Sequence, residues 1–452
     1  MSQHPACGSA VSSELSRSTK WRVLGGALSG STIEWFEYFL YASAAALVFD
    51  KQFFPSEDPV VSLMLSYLSL SLTFFIRPFG GIVFSHLGDR IGRKRTLVIT
   101  LWLMGLATMG IGFLPNYAAI GVWAPILLVT CRIIQGLAIS GEWGGAILLA
   151  YEYAPIRRRG FFGSVPQIGV ALGMLLATLA MAGLSLLPSE SFNAWGWRVP
   201  FIASVLLVMV GLWLRSGLDE TPAFRKTQEE GRTAKLPIVD VVKYHWRAVV
   251  VAIGAKVVET APFYIFATFI LSYATGVLDF ARTSVLVSVS VAALLAVFTI
   301  PLAGTLADRI GRRTVFTVAA VAMAAFAFPY FLLLHAGVMW ALLLACSIAV
   351  GVLWPAITAT YGTITSDMFA PEVRYTGITL GQQIGAAAAG GTAPLVATFL
   401  LGEFDQSWVP IALYLVLCSA ISLISVRGAH PATSGLSTAP VTDGSGRTDA
   451  PV

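Results

Sequence analysis

The feature that most constrains the fold of this chain is a series of long apolar segments separated by short polar ones. A helix needs about 20 apolar residues to cross the hydrocarbon core of a bilayer. Twelve candidate runs have the limits 22–49, 62–86, 96–114, 121–151, 161–187, 197–215, 247–275, 283–306, 314–335, 337–367, 376–401 and 408–427. Only 12% of the 452 residues are charged, too few to cover a soluble protein. The pattern predicts an all-α polytopic membrane protein with twelve transmembrane helices, numbered here as spans 1 to 12.

Basic residues are distributed unevenly between the predicted loops. Of the 29 Lys and Arg residues, those placed within spans or on the side opposite the amino terminus are Lys51, Arg77, Arg132, Arg198, Lys256 and Arg282. Loops on the cytoplasmic side carry an excess of Lys and Arg. We therefore expect both termini in the cytoplasm and the chain in the inner membrane. The net charge of +5 reflects this topology and does not indicate a nucleic-acid partner.

Residues typical of soluble enzymes and metal sites do not cluster in the sequence. The five histidines fall in tails and at loop edges, at His4, His86, His245, His335 and His430. This scatter predicts neither a metal site nor a catalytic triad. There is no phosphate-binding GxxxxGK[ST] run, and the four cysteines suggest no disulfide framework. We expect no enzyme activity, no metal, no cofactor and no cleaved signal peptide.

The chain repeats itself weakly across its two halves. "GDRIGRKRT" at 88–96 follows span 2, and "ADRIGRRT" at 307–314 follows span 8. "EYAPIRRRG" at 152–160 and "MFAPEVRYTG" at 368–377 likewise follow spans 4 and 10. Two parallel repeats are typical of transporters with a binding site at the membrane midplane. The predicted organisation is a cytoplasmic tail at 1–21, a six-helix bundle at 22–215, a cytoplasmic linker at 216–246, a second six-helix bundle at 247–427 and a disordered cytoplasmic tail at 428–452.

The DRxGRK-type loops resemble the signature of the major facilitator superfamily. Four further stretches narrow the resemblance: "IEWFEYFLYA" in span 1, "RIIQGLAISGEWGGA" in span 4, "LDETPAF" after span 6 and "RYTGITLGQQIG" in span 11. Together they resemble the metabolite:proton symporter family, which includes shikimate, 2-oxoglutarate, citrate and proline/betaine carriers, with the shikimate-like branch nearest. The chain departs from the family pattern at Glu37, where Asp is usual, and at Lys256, where Arg is expected. The resemblance implies two pseudo-symmetric bundles around a central cavity, and we expect a monomer.

Seven charged residues lie deep within the predicted spans. They are Glu34, Glu37, Arg77, Arg132, Glu142, Lys256 and Glu259. A charge facing lipid at mid-bilayer costs roughly 2.5–3.5 kcal/mol on insertion scales, so these side chains are expected to face the bundle interior. Helical spacing supports this, because residues three and four apart share a face. Such faces group Glu34, Glu37, Tyr38 and Tyr41 on span 1, Arg132, Gln135 and Glu142 on span 4, and Lys256 and Glu259 on span 7.

These charges suggest two kinds of role. The first candidate for carrying a coupling proton is Glu37. Glu34 and Glu142 are the next candidates. The candidates for contacting substrate are Arg132, Arg77, Lys256, Glu259, Tyr38, Tyr41 and Gln135. Structural alternatives stay open: Glu34 and Glu142 as fixed partners of arginines, and Lys256 and Glu259 neutralising each other at i, i+3.

The repeated cytoplasmic loops suggest a third role. Their charged and glycine residues can pair with helix ends and neighbouring spans and so latch one conformation. The candidate gating residues are Asp89, Arg90, Gly92, Arg93, Asp308, Arg309, Gly311 and Arg312. The alternative is that these charges serve topology alone.

The sequence thus predicts a proton-coupled symporter that imports a small organic acid or related metabolite by alternating access, with the proton as coupling ion. The partners are a small metabolite, protons and the lipid bilayer. A uniporter or exchanger of the same fold, a transporter-like metabolite sensor and an exporter of organic cations or drugs remain alternatives.

Overall fold

In the computed structural model, each of the twelve predicted spans contains a helix within the residues that the structure describes. The structure describes residues 17–91, 93–139, 156–216, 241, 243–369 and 373–429. In chain order, spans 1 to 12 are Arg17–Ala44, Pro59–Ile91, Arg93–Phe113, Trp123–Ala138, Arg159–Leu184, Arg198–Ser216, Trp246–Gly276, Arg282–Ile310, Arg312–His335, Met339–Met368, Thr376–Glu403 and Val409–Arg427. Eight of the described helices are each long and apolar enough to cross a bilayer, and spans 3 and 4 contain shorter apolar stretches. The predicted linker and both tails lie largely outside the described residues.

The outer surface of the bundle is apolar and its interior holds the charges. On span 8, Phe298, Leu302 and Leu306 follow each other at four-residue intervals, and all three are exposed. Such a stripe suits contact with lipid tails. In contrast, Glu37 and Arg132 are almost fully buried. This distribution is the reverse of a soluble protein and supports the membrane assignment made from hydropathy.

Glycines allow equivalent pairs of helices to pack closely in the two halves. A Cβ atom on Gly173 of span 5 would lie 2.6 Å from the backbone nitrogen of Phe36 on span 1. A Cβ atom on Gly385 of span 11 would lie 2.6 Å from Cβ of Lys256 on span 7. Small residues at helix contacts are typical of membrane bundles. Spans 5 and 1 therefore pack as spans 11 and 7 do, in agreement with two pseudo-symmetric bundles.

Span 5 contacts the second half along most of its length. Near its carboxyl end, the hydroxyls of Ser185 and Thr283 lie 2.7 Å apart, and Ser290 donates to Thr178 at 2.8 Å. At its amino end, the backbone of Gly160 contacts Asp308. The two halves therefore touch on both sides of the membrane, so the space between them is closed at both ends.

Five described spans contain or adjoin a π-helical segment. These are Ala45–Phe49 directly after span 1, Phe192–Gly196 just before span 6, Ile265–Phe269 in span 7, Ala349–Leu353 in span 10 and Ala386–Gly391 in span 11. Such segments are rare and occur frequently at functional sites. Spans 1 and 7 hold equivalent positions in the two six-helix halves, and spans 1, 7, 10 and 11 all border the interior region described next.

Candidate functional site

A narrow cavity lies between the two halves. Its volume of about 20 Å³ is room for about one water molecule, and its walls are formed by spans 1, 2, 5, 7, 10 and 11. Its charged wall residues are Arg77, Lys256 and Glu259, and the amides of Gln167 and Gln382 also reach it. Aromatic rings complete the wall, with Phe263 and Trp354 stacked at a centroid distance of 4.2 Å. Apolar and aromatic walls with a few polar groups are typical of small-molecule sites.

Arg77 of span 2 is the cation best placed to meet an anion in this cavity. It is 5% exposed, and its guanidinium lies 4.8 Å from the centroid of the Phe74 ring. The buried Nε and Nη2 atoms have no hydrogen-bond partner within the described part of the chain. A buried charge with unused donors is costly. A planar carboxylate is the group that matches two guanidinium donors at once.

Lys256 and Glu259 form an ion pair one turn apart on span 7. Both are buried, and the Lys256 ammonium also lies 4.7 Å from the centroid of the Tyr361 ring. The alternative that the two charges neutralise each other therefore agrees with the geometry. Because both residues also line the cavity, the pairing does not separate them from a bound solute.

A chain of hydrogen bonds connects Glu259 to the other half of the protein. Thr358 on span 10 donates to Glu259 Oε1 at 2.8 Å. Gln167 on span 5 in turn donates to the Thr358 hydroxyl at 2.9 Å. Since span 5 belongs to the first half and span 10 to the second, the charged pair on span 7 is connected to the interface at which the halves meet.

A second chain of hydrogen bonds joins Glu37 to Arg132 across spans 1, 3 and 4. Thr108 donates to Glu37 Oε2 at 2.6 Å, and Gln135 Nε2 donates to Thr108 Oγ1 at 2.6 Å. Arg132 Nη1 donates to Gln135 Oε1 at 2.7 Å. The Arg132 guanidinium lies 3.7 Å from the centroid of the Tyr41 ring. The acid and the base are thus connected through two neutral side chains rather than by direct contact.

The structure separates the predicted site residues into two groups. Arg77, Lys256 and Glu259 line the cavity. The residues that are buried nearby but do not line it are Glu34, Glu37, Tyr38, Tyr41, Arg132 and Gln135. Glu34 and Glu37 thus face the bundle interior, as expected, but do not line the cavity in this closed arrangement. Helical spacing shows which residues share a face, but it does not show which helix that face meets. Glu142 lies outside the described residues.

Four neutral side chains that bond to the charged residues or line the cavity were not predicted from the sequence. Thr108, Thr358, Gln167 and Gln382 all reach the charged groups or the cavity. The glutamines were visible as polar residues within apolar spans. The threonines carried no such signal, because a buried threonine in a helix commonly bonds to a carbonyl in the preceding turn.

Two of the predicted gating residues, Asp308 and Arg312, contact a helix end or a neighbouring span. The Asp308 carboxylate accepts hydrogen bonds from the backbone N–H groups of Gly160 at 2.7 Å and Phe161 at 2.9 Å. Arg312 forms an ion pair with Asp367 at 2.7 Å, within the second half. Gly311 has φ +98°, a conformation that favours glycine, and makes the turn between spans 8 and 9.

The structure describes the remaining gating candidates only in part. Arg309 is exposed. Asp89 and Arg90 lie at the end of span 2 and Arg93 begins span 3, but their side chains lie outside what the structure describes. Gly92 lies outside the described residues.

Twelve helices with a charged interior and a closed central cavity define the class of polytopic membrane transporters. The model of the Major Facilitator Superfamily matches residues 27–394. The chain is 36% identical over 415 residues to the shikimate transporter of Escherichia coli (strain K12), covering 91% of this chain and 94% of that one. It is 32% identical over 436 residues to the proline/betaine transporter of Salmonella typhimurium, covering 92% and 86%.

A solved structure agrees in fold. The D-xylose-proton symporter has a TM-score of 0.69 to this chain at 17% identity, covering 91% of this chain and 98% of that one. The protein therefore belongs to the Major Facilitator Superfamily and is a multi-pass membrane transporter. The resemblance to the group of metabolite carriers that includes the shikimate and proline/betaine transporters is confirmed.

Proposed function

We propose that this protein imports a small carboxylated metabolite together with protons across the inner membrane. The observation that carries the proposal is Arg77, a buried arginine in the cavity wall whose Nε and Nη2 atoms have no hydrogen-bond partner among the described residues. The relatives named for shikimate, proline and betaine support it, since each of those solutes carries one carboxylate. The carboxylate would bind the guanidinium of Arg77, with Lys256 on the opposite half within the same cavity.

The balance of buried charge supplies the reason for coupling. Around the cavity, the buried charged side chains in the described ranges are Glu34, Glu37, Arg77, Arg132, Lys256 and Glu259. Three acids balance three bases when all are ionised. A proton on one acid leaves one positive charge uncompensated, and the carboxylate of an anionic substrate restores neutrality. A carrier with only one of the two ligands holds an unpaired buried charge, which costs several kcal/mol.

Glu37 is the acid that we assign to the proton, with Glu34 as the alternative on the same helix face. Its Oε2 atom accepts a hydrogen bond from Thr108, and through Gln135 it is connected to Arg132. Protonation of Glu37 therefore changes the charge at one end of a chain whose other end is an arginine. Glu142 stays a candidate from the sequence alone.

Alternating access requires the contacts of span 5 to break on one side at a time. Opening the outer side separates Ser185 from Thr283, and opening the cytoplasmic side separates Asp308 from Gly160. The bond from Gln167 to Thr358 lies between these two sets, beside the cavity. We assign Asp308 to the cytoplasmic gate, in line with the expectation from the basic loops that both termini are cytoplasmic.

Uptake by the full-length protein in proteoliposomes tests the proposal. Radiolabelled shikimate, 2-oxoglutarate, citrate and glycine betaine are offered under an inward proton gradient, with and without a protonophore. The proposal expects accumulation of one carboxylated solute that the protonophore abolishes. Equilibration that ignores the gradient would favour a uniporter or exchanger of the same fold.

The Arg77→Lys variant tests the residue that carries the proposal. Lysine keeps the charge but loses the planar pair of donors. We expect the apparent affinity to fall roughly tenfold, about the worth of one charge-assisted hydrogen bond. Arg157→Lys is the matched control, because Arg157 is exposed at the start of span 5 and lies outside the cavity. Equal affinities in the Arg77 variant and the control would contradict the assignment.

A further inference from the structure

Thr108 holds the centre of the chain between Glu37 and Arg132. Its hydroxyl oxygen lies 2.6 Å from Glu37 Oε2, 2.6 Å from Gln135 Nε2 and 3.0 Å from the backbone carbonyl oxygen of Met104. Thr108 is fully buried. Its single hydroxyl proton can therefore serve only one of these neighbours at a time.

The donor and acceptor roles in this chain follow from Arg132. A guanidinium only donates hydrogen bonds. Because Arg132 Nη1 lies 2.7 Å from the Gln135 side chain, the amide oxygen faces the arginine and the amide NH₂ faces Thr108. The amide NH₂ only donates as well. The hydroxyl proton of Thr108 therefore goes either to Glu37 Oε2 or to the Met104 carbonyl.

These two positions match the two charge states of Glu37. When Glu37 is ionised, Thr108 donates to Oε2 and accepts from Gln135. When Oε2 carries a proton, Glu37 donates to Thr108, and Thr108 donates to the Met104 carbonyl while still accepting from Gln135. Every group of the chain keeps a partner in both states. A proton on Oε1 has no such partner, since that atom makes no hydrogen bond within the described residues.

We propose that Thr108 is a positioning residue for proton coupling, whose hydroxyl turns between Glu37 and the Met104 carbonyl as Glu37 gains and loses its proton. This rotation changes the orientation of the Thr108 hydroxyl toward Gln135. It thereby transmits the protonation state of Glu37 to Gln135, which accepts a hydrogen bond from Arg132. The inference rests on the proposed function, and specifically on Glu37 carrying the proton.

Other charged groups near Glu37 act on it in the wild type and in every Thr108 variant alike. Within the described ranges, the titratable and charged residues facing this region are Glu34, Tyr38 and Tyr41 on span 1, Arg77 on span 2, and Cys131 and Arg132 on span 4. Spans 5 and 6, which also pack against span 1, carry charged residues only at their ends. A difference between two Thr108 variants therefore reports on the hydroxyl itself.

Infrared titration of the full-length protein tests the inference without a substrate. The carbonyl stretch of protonated Glu37 is identified as the band missing from Glu37→Gln, and its disappearance with rising pH is followed. Thr108→Val removes the hydroxyl but keeps the shape. An ionised carboxylate loses more from the missing donor than a neutral acid loses from the missing acceptor, so the midpoint moves up by roughly one pH unit. Thr108→Ser keeps the hydroxyl and restores the wild-type midpoint.

The outcomes separate this inference from the proposed function. A Glu37 band that titrates in the wild type at the same midpoint as in Thr108→Val overturns the role of Thr108 and leaves Glu37 as the proton site. A wild type without any Glu37-dependent band overturns the inference and the assignment of the proton to Glu37, whereas the proposed proton-coupled import is tested separately by gradient-driven uptake. Thr108→Ala serves as a second variant with the same expected direction.

A matched control separates the hydroxyl of Thr108 from buried threonines in general. Thr398 on span 11 is also buried and donates only to the Pro394 carbonyl of its own helix, at 2.8 Å. Thr398→Val is expected to leave the midpoint of the Glu37 band unchanged. A shift of equal size in this variant would contradict the specific role of Thr108.

Discussion

Asp308 of the second half caps the first turn of span 5 at Gly160. One carboxylate oxygen accepts the backbone N–H of Gly160 at 2.7 Å, and the other accepts that of Phe161 at 2.9 Å. The first N–H groups of a helix have no partner inside it, and a negative charge at this end also interacts favourably with the helix dipole. The same carboxylate thus completes a helix and joins the two halves of the protein.

We predict that Asp308→Ala shifts the carrier toward a state open on the cytoplasmic side. Loss of a helix cap costs about 0.5–2 kcal/mol, which corresponds to a change of roughly 2- to 30-fold in the equilibrium between closed and open states. Spin labels on the exposed positions Arg157 and Arg313 measure the distance between the halves on this side. The longer distances should gain population in the variant.

The control for this experiment is another aspartate cap that lies within one half. Asp58 accepts the backbone N–H of Val60 at 2.8 Å, at the start of span 2. Asp58→Ala removes a cap of the same kind but no contact between the halves. It should leave the distance distribution unchanged. An equal shift in both variants would contradict the role of Asp308 in holding the halves together.

We predict that Gly173→Ala destabilises the protein and that Gly183→Ala does not, although both lie on span 5. A Cβ atom at Gly173 would lie 2.6 Å from the backbone nitrogen of Phe36, while none of the described atoms lies within 4 Å of one at Gly183. Overpacking typically costs about 1–3 kcal/mol. Thermal unfolding in detergent should give a lower Tm for Gly173→Ala alone, and equal Tm values would contradict the close packing of spans 1 and 5.

Because Lys256 and Glu259 form an ion pair, we predict that the losses of stability in the two single variants do not add in the double variant. Lys256→Met or Glu259→Gln leaves one buried charge without its partner, and breaking a buried pair costs about 3–5 kcal/mol. The double variant removes both charges and should regain much of the lost stability. Thermal unfolding of the two single variants and the double variant measures the coupling.

Transport by the double variant distinguishes structural from functional roles of this pair. Since both residues line the cavity, we expect the double variant to remain folded but to lose uptake. Uptake at the wild-type rate would show that Lys256 and Glu259 only neutralise each other.

The fold was accessible from the sequence because membranes constrain it strongly. Backbone groups in a bilayer have to be paired within a helix, so each apolar run of sufficient length predicts a span. The cost of a charge in lipid likewise predicted that Arg132 and Glu37 are buried, and they are. The glycine of the second DRxG loop, Gly311, proved necessary for a turn with positive φ.

The contacts between the site residues could not be predicted from the sequence in the same way. Thr108 and Gln135 connect Glu37 to Arg132 across three helices, and helix spacing contains no information about such contacts. Whether a polar face meets the cavity or a neighbouring helix depends on how each helix is rotated within the bundle. For this reason Arg77 lines the cavity while Arg132 lies outside its wall.

The measurement that tests the account most directly is made on Glu37→Gln in proteoliposomes. Gradient-driven accumulation and substrate exchange at equal pH are measured on the same preparation, using the solute that the wild type accumulates. A neutral glutamine mimics the protonated acid but cannot release a proton. The account predicts that exchange continues while accumulation against a gradient is lost. Accumulation at the wild-type level would show that Glu37 does not carry the coupling proton.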